Sequence, residues 1–428
     1  MLEAAATDEF ALQPALAAPH ARPWRRPSMR LTASFITLTC LGLVITVSAV
    51  GPGSLAPALL KRLALTALGA CAFVLGAQVR YQWWRRHHLA ALGVALVGLT
   101  AALIPGIGMQ INGARRWVNV GLPIGFQPSE FAKIALCIWV AAYCERNAAR
   151  MRDPLHGFLV PCGVIAFASL LILCEPDFGT AVLTGALCMT ILVALGTRLV
   201  YVLIAGAAAM PLLQRLVFGV PYRLQRVLTF LDPWSDPRGS GYQLIQSKIA
   251  IGSGGLFGLG LGAGHQKAGF LPGAGNDFIF SILAEELGLM GSLLVIALFL
   301  FILWEGLKVV IRSRDPFGFG LALGLTVLLT VQAAAHIAVV TGSVPTKGLS
   351  LPFISAGGSS LLASMLAAGI LVSIARSEER PERYGLRPWQ EDRPGYERLA
   401  CRLLRPLGAA CGRTARRLLW TRKAEGGV

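Results

Sequence analysis

The feature that most constrains this chain is a recurring apolar run. About ten stretches approach the roughly 20 apolar residues that a helix needs to cross a hydrocarbon core. They lie at residues 31–50, 57–78, 88–106, 128–144, 157–174, 178–196, 199–219, 278–305, 317–341 and 353–375. Charged residues make up 14% of the 428 and hydrophobic ones 55%, a balance outside that of a soluble globular domain. The expected fold is therefore an all-α polytopic membrane protein of about ten transmembrane helices. Residues 220–277 belong to no full span and form a large loop between the seventh and eighth. Arg22 to Arg30, with the apolar run ending Val47-Ser48-Ala49, imitate a cleavable signal peptide, but the run is longer than a usual signal core and reads as an anchor.

A net charge of +17 would suggest nucleic acid as the partner of a soluble protein. Here the basic residues sit in alternate short loops: Arg80, Arg85 and Arg86; Arg146, Arg150 and Arg152; Arg198; Lys308, Arg312 and Arg314; and the tail from Arg376. Charge thus reports topology, with both termini cytoplasmic, the long loop outward and no role for nucleic acid. The chain divides into a cytoplasmic segment at 1–30, a membrane domain at 31–376 and a basic cytoplasmic tail at 377–428. Arg402, Arg405, Arg413, Arg416 and Arg417 among leucines fit a basic amphipathic helix on the inner membrane surface. Disorder is an equal reading of the Pro-rich ends, 12–27 and 381–394. Of nine cysteines, Cys40, Cys71, Cys137, Cys162, Cys174 and Cys188 lie in apolar runs without paired or metal-ligand spacing, and read as small core residues.

Basic residues on the outward side need a reason. Arg115 and Arg116 lie in NGARRWVNVG, Lys133 in the first turns of the fourth span, and Lys267 and Lys347 in later outward loops. Such a rim of cations suits an anionic substrate, with a lipid diphosphate foremost. Lipid-headgroup anchoring or salt bridging is the plainer reading of Lys61 and Arg62, near the outer end of the second span. An ionisable group within a span is costly, which marks Lys133 for function. Glu130 precedes it by three residues on the same helical face, so a structural ion pair and a substrate role both remain open. Helical spacing from Asp277 puts Glu285 on the flank of the eighth span and Glu286 nearly opposite. Asp277 itself follows Leu271-Pro272-Gly273-Ala274-Gly275-Asn276 at the water boundary and is the candidate base.

Several signals carry little. Glycines from Gly252 to Gly264 imitate a dinucleotide fingerprint without a βαβ unit, and read instead as a re-entrant or closely packed helical segment. His265 and His336 lack the paired spacing of a zinc site. No nucleophile elbow or Walker-type phosphate loop is present.

The outward segments resemble the shape, elongation, division and sporulation family of membrane proteins. The resemblance rests on NGARRWVNVG (112–121), FQPSEFAK (126–133), EPDFGTA (175–181), FLDPWSDPRGSGYQLIQSKIAIGSGGLFGLGLG (230–262), LPGAGNDFIFSILAEELG (271–288) and PTKGLSLPFISAGGSS (345–360). Thr346-Lys347-Gly348 resembles the division-type branch. The resemblance implies a peptidoglycan glycosyltransferase that polymerises lipid II on the outer face of the cytoplasmic membrane, at the division septum. It implies Asp277 as the catalytic residue, with Arg116, Glu130, Lys133, Lys267, Lys347 and Ser359 in the substrate cavity. It also implies lipid II and the growing glycan as substrates, a class B penicillin-binding transpeptidase and other divisome proteins as partners, and no organic cofactor.

Departures from the family pattern are Gly273 and Gly275, where Glu and His are frequent, Ala356 in place of Tyr, and His336 in place of Asn. They remove a neighbouring carboxylate or imidazole from the Asp277 motif. The expected chemistry is attack of a sugar hydroxyl, deprotonated by Asp277, with Arg116, Lys133, Lys267 and Lys347, and an expected Mg2+ or Mn2+ ion, balancing charge on the departing diphosphate. A lipid flippase or transporter and a non-catalytic divisome scaffold are the competing readings.

Overall fold

The computed structural model describes residues 26–49, 55–111, 114–119, 125–267 and 269–379. The basic tail from residue 380, the N-terminal segment to residue 25 and the Pro-rich stretches within them lie outside the described residues. Thirteen helices are described: α1 (Pro27–Ser48), α2 (Leu55–Gln78), α3 (Tyr81–Arg86), α4 (His88–Leu103), α5 (Pro128–Arg146), α6 (Val160–Cys174), α7 (Phe178–Ala194), α8 (Leu199–Phe218), α9 (Pro221–Leu231), α10 (Tyr242–Ser253), α11 (Ile279–Arg312), α12 (Pro316–Val340) and α13 (Gly358–Glu379). Each of the ten expected spans corresponds to one of them. Among the described residues seven helices are long and apolar enough to cross a membrane, and His88–Leu103 and Phe178–Ala194 are apolar but shorter. The remaining one, α5, carries Glu130, Lys133, Glu145 and Arg146 within 19 residues.

The bundle is built around α12 and α13, whose most apolar windows are 67% and 83% buried, whereas that of α8 is 0% buried. Small residues let α13 lie against α2: a Cβ on Gly369 would strike the Phe73 carbonyl, and one on Gly76 would come within 2.9 Å of that of Leu366. Cys137 and Cys188 are buried as expected, but Cys40, Cys71 and Cys174 are exposed on the outside of the bundle. In a membrane protein an apolar face turned to lipid reads in sequence like one turned to the core.

Polar contacts divide the bundle into two ends. At one, Ser28 donates through its backbone N–H (2.9 Å) and hydroxyl (2.8 Å) to Glu379, and Tyr81 donates to Asp315 at 2.6 Å. There Glu305 also meets Arg30 at 3.0 Å and Lys308 at 2.7 Å. This end gathers the basic loops, and it joins the start of α1 to the end of α13.

The other end holds the departures from the expected fold. NGARRWVNVG contributes an antiparallel hairpin, β1 (Gly108–Ile111) paired with β2 (Ala114–Val118). Residues 220–277 are not one irregular loop, since they contain α9 and α10. The glycine run is not helical beyond Ser253. It lies as turns against α11, with Leu259 and Gly260 donating to the carbonyls of Glu285 (3.0 Å) and Glu286 (3.1 Å), and Leu289 donating back to Gly255 at 2.9 Å. Gly288 breaks α11 at φ 66°, ψ −164°, and a Cβ on Gly254, Gly258 or Gly288 would strike the apposed backbone.

Because α11 starts at Ile279, Asp277 lies before the helix, and helical spacing counted from it misplaces the glutamates. Both are buried: Glu285 accepts from the backbone of His265 at 2.7 Å, and Glu286 pairs with Lys267. Arg62 is no headgroup anchor either. It is 3% exposed and donates to backbone carbonyls before α13, whereas Lys61 is exposed.

Candidate active site

Four connections converge at this second end. The turn between α6 and α7 supplies Glu175, Pro176 and Asp177. Asp177 caps α7, accepting from the Thr180 backbone N–H at 3.1 Å and the Thr180 hydroxyl at 2.8 Å. The hairpin reaches across, with Arg116 Nε donating to the Glu175 carbonyl at 3.0 Å and Nη2 to that of Pro176 at 2.8 Å. Arg116 is the extra residue of a bulge, since its neighbours Arg115 and Trp117 pair with Gln110 and Met109.

The connection between α12 and α13 carries Lys347. It is tied by Gln332 to the Ser350 carbonyl (3.1 Å), by His336 to that of Leu349 (2.5 Å), and by Arg226 of α9 to that of Thr346 (3.0 Å). The fourth connection turns tightly before α11: Asn276 and Asp277 donate to the Gly273 carbonyl at 3.0 and 3.1 Å. A Cβ on Gly348 would sit 2.8 Å from Asp277 Oδ2, so glycine permits this close approach.

The Lys347 side chain lies over Gly179 in the first turn of α7. Its ammonium is 3.8 Å from Asp177 Oδ1 and has no hydrogen-bond partner among the described residues. Burial lowers its pKa to about 8, with Asp177 acting in the opposite sense. Glu175 is fully buried, neither carboxyl oxygen has a partner, and burial, helped by Asp177, raises its pKa to about 8. Asp277 is half-buried, and that burial raises its pKa, while Arg226 and then Arg116 oppose the rise. The cleft therefore brings three carboxyl groups together with Lys347 and two arginines. It contains a second carboxylate beside Asp277 after all, Asp177, supplied by a distant turn.

Among the described residues no group of three or more His, Cys, Asp or Glu side chains could hold a metal ion. Cations of the protein stand among the carboxylates instead. A preformed protein cage for Mg2+ or Mn2+ is thus absent among the described residues.

A model of cell cycle proteins of the FtsW, RodA and SpoVE type matches residues 29–380. The chain belongs to that family. Its relatives include a probable peptidoglycan glycosyltransferase FtsW of Trichlorobacter lovleyi, 45% identical over 318 residues, which are 74% of this chain and 83% of that one. Stage V sporulation protein E of Bacillus subtilis is 37% identical over 316 residues, 74% of this chain and 86% of the relative. A solved peptidoglycan synthase complex, described as coordinating polymerization and crosslinking, has a chain that superposes with a TM-score of 0.66 at 28% identity. The match covers 82% of this chain and 98% of that one. RodA of Thermus thermophilus shares the fold, with a TM-score of 0.61 at 24% identity over 82% of this chain and 97% of its own.

In this FtsW/RodA/SpoVE family member, the cleft brings together Asp277, Lys347 and Arg116 of the residues expected from sequence. Lys133 and Glu130 are beneath it, closed upon each other at 2.9 Å, with Gln332 accepting from Lys133 at 2.8 Å. Lys267 is engaged elsewhere, donating to Glu286 at 2.7 Å and to the Ser48 carbonyl at 2.8 Å. Ser359 is engaged too, donating to the Gly125 carbonyl and accepting from the Gln127 N–H, both at 3.0 Å. It fixes the approach to α5 and has no hydroxyl proton left to offer. Arg226, Glu175 and Asp177 are the site groups that sequence reasoning missed.

Proposed function

We propose that the protein is a peptidoglycan glycosyltransferase that polymerises lipid II, with Asp277 as its general base. The observation that carries this reading is Asp277 held against Gly348, one residue from a buried lysine whose ammonium has no hydrogen-bond partner among the described residues. Asp277 takes the proton of the attacking sugar hydroxyl as its oxygen bonds to the anomeric carbon of a second lipid-linked disaccharide. The bond from that carbon to the diphosphate oxygen breaks with inversion, and the diphosphate leaves with the electron pair. Lys347 and Arg116 balance the charge that develops there. A diphosphate departs without a proton, so no paired carboxylic acid of the glycosidase kind is needed. Lipid tails stay in the bilayer while head groups react at the helix ends.

Both termini are cytoplasmic in this reading and the cleft faces outward. Support comes from the basic loops gathered at the end where Ser28 meets Glu379. The septum is the site of action and a class B penicillin-binding transpeptidase the partner, consistent with the FtsW names of relatives and the likeness to a chain of a peptidoglycan synthase complex. The test is glycan-chain formation from purified lipid II in liposomes, with the transpeptidase present. Polymer from the wild type and none from folded Asp277→Asn is expected. Equal polymer from both removes Asp277, and none from either points to transport or scaffolding.

A further inference from the structure

Arg62 lies about two turns from the start of α2, and among the described residues no carboxylate meets it. Its Nη1 donates to the Ser355 carbonyl at 2.8 Å, and Nη2 to those of Ile354 at 3.1 Å and Phe353 at 3.2 Å. From α1, the Thr46 hydroxyl adds a bond to Ile354 at 3.1 Å. Gly42 lets the strap come close, since a Cβ there would be 2.5 Å from the Phe353 carbonyl oxygen. Three consecutive carbonyls are thus drawn onto one planar fork of donors, a task for which a lysine has the charge but not the geometry. Phe353 has φ +66°, a conformation that a bulky residue leaves unless its surroundings hold it.

The held strap continues to the base. Ser355 Oγ accepts from the Leu351 N–H at 2.8 Å and donates to the Asn276 carbonyl at 2.9 Å. Ala356 N–H donates to the Gly275 carbonyl at 3.0 Å. These acceptors are the two residues immediately before Asp277. Every link from the guanidinium to the base is a backbone segment or a hydrogen bond of ordinary length. The cost of an unneutralised buried guanidinium calls for a role, and local stapling of α2 to α13 is already provided by their small-residue contact.

We propose that Arg62 is a positioning residue for polymerisation: by clamping the carbonyls of 353–355 it fixes Ser355 and Ala356, which set where the Asp277 carboxylate stands. The proposal rests on the reading of Asp277 as the base. Charged groups facing that carboxylate are Arg226 from α9, Arg116 from β2 and Asp177 at the start of α7, and replacement of Arg62 alters none of them. A loosened strap lets the Asp277 turn drift and admits water to it.

The experiment is lipid II polymerisation by the full chain in liposomes with the class B transpeptidase present. Wild type, Asp277→Asn, Arg62→Gln and Arg62→Lys are compared for kcat, KM, pH profile and thermal unfolding. Displacement of a reacting group by about 1 Å costs on the order of 100-fold in rate, so Arg62→Gln is expected to lose about 10- to 100-fold in kcat. Its KM stays within about twofold, because substrate contacts are untouched. The acid limb of its rate profile moves to lower pH as the carboxylate gains water, and Arg62→Lys recovers part of the rate. Wild-type kcat and an unmoved acid limb in folded Arg62→Gln overturn the proposal. So does loss of rate only in proportion to loss of fold, with Arg62→Lys, if it alone folds, matching wild type in both rate and pH profile. An inactive wild type, or an active Asp277→Asn, instead removes the base on which the positioning role depends.

Discussion

Lys133 and Lys347 each sit next to a carboxylate, and they are bonded in opposite ways. Lys133 is closed: Glu130 accepts from it at 2.9 Å and Gln332 at 2.8 Å, and its side chain is 1% exposed. Lys347 is open: Asp177 stands 3.8 Å away and no hydrogen bond is made among the described residues, although the ammonium is buried. A buried charge without partners is expensive, so in the proposed function the open lysine is the one that takes an anionic ligand, while the closed one holds α5 to α12. Sequence spacing alone ranked the closed lysine with the open one.

The comparison breaks or sharpens under substitution. The largest effect belongs to the cleft as a whole. Asp277→Asn is expected to lower lipid II polymerisation by about 100- to 10,000-fold, with a thermal unfolding midpoint near that of the wild type. Lys347→Met should lower kcat by on the order of 100-fold through weaker stabilisation of the leaving diphosphate, at no cost in stability. Lys133→Met should do the reverse, destabilising by about 3–5 kcal/mol because Glu130 is left buried without its partner. Denaturation of the two variants in matched micelles decides the matter, and the comparison fails if their stabilities change places.

A third effect is in the pH profile. The Lys347 ammonium is charged below about pH 8 and neutral above it, so its help to the leaving group fades as pH rises through that value. Lys347→Arg stays charged, and its rate should hold on the alkaline side where that of the wild type declines. On the acid side the raised carboxyl of Asp277 has the opposite sign: the base is lost as pH falls, beginning above the ordinary carboxylate range. The smallest effect is that of Ser359→Ala. Losing its two hydrogen bonds costs about 1–2 kcal/mol of stability, read by thermal unfolding, with turnover within about twofold of the wild type.

The helices and their order were legible because apolar length is a strong local signal. The place of Asp277, at a Pro- and Gly-rich turn just before a helix, was legible too. The missing parts are relations between distant residues. Arg62 looks like an anchor until its acceptors, nearly 300 positions away, fold onto it. Arg226 lies on a short helix inside what reads as a loop, and Glu175 and Asp177 read as a polar interruption between spans. The hairpin had a local signal, Asn112-Gly113 between alternating residues, that the search for spans passed over. Cys40, Cys71 and Cys174 could not be separated from core cysteines, because lipid and protein interior select the same side chains.

The break at Gly288 bears on how this chain meets membranes of different thickness. An unbroken helix of the 34 residues in α11 would measure about 51 Å, against a hydrocarbon layer of about 30 Å. Such a rod would tilt as the layer thins or thickens and carry its tip along. With the backbone turned at Gly288, the portion from Leu289 to Arg312 is about 36 Å long and is expected to take up the mismatch by itself. The two turns before Gly288 are then bound to the glycine run and to Lys267 rather than to the tilt of the span. Glu285 and Glu286 are buried there, and the turn holding Asp277 is expected to keep its register as the width of the bilayer changes.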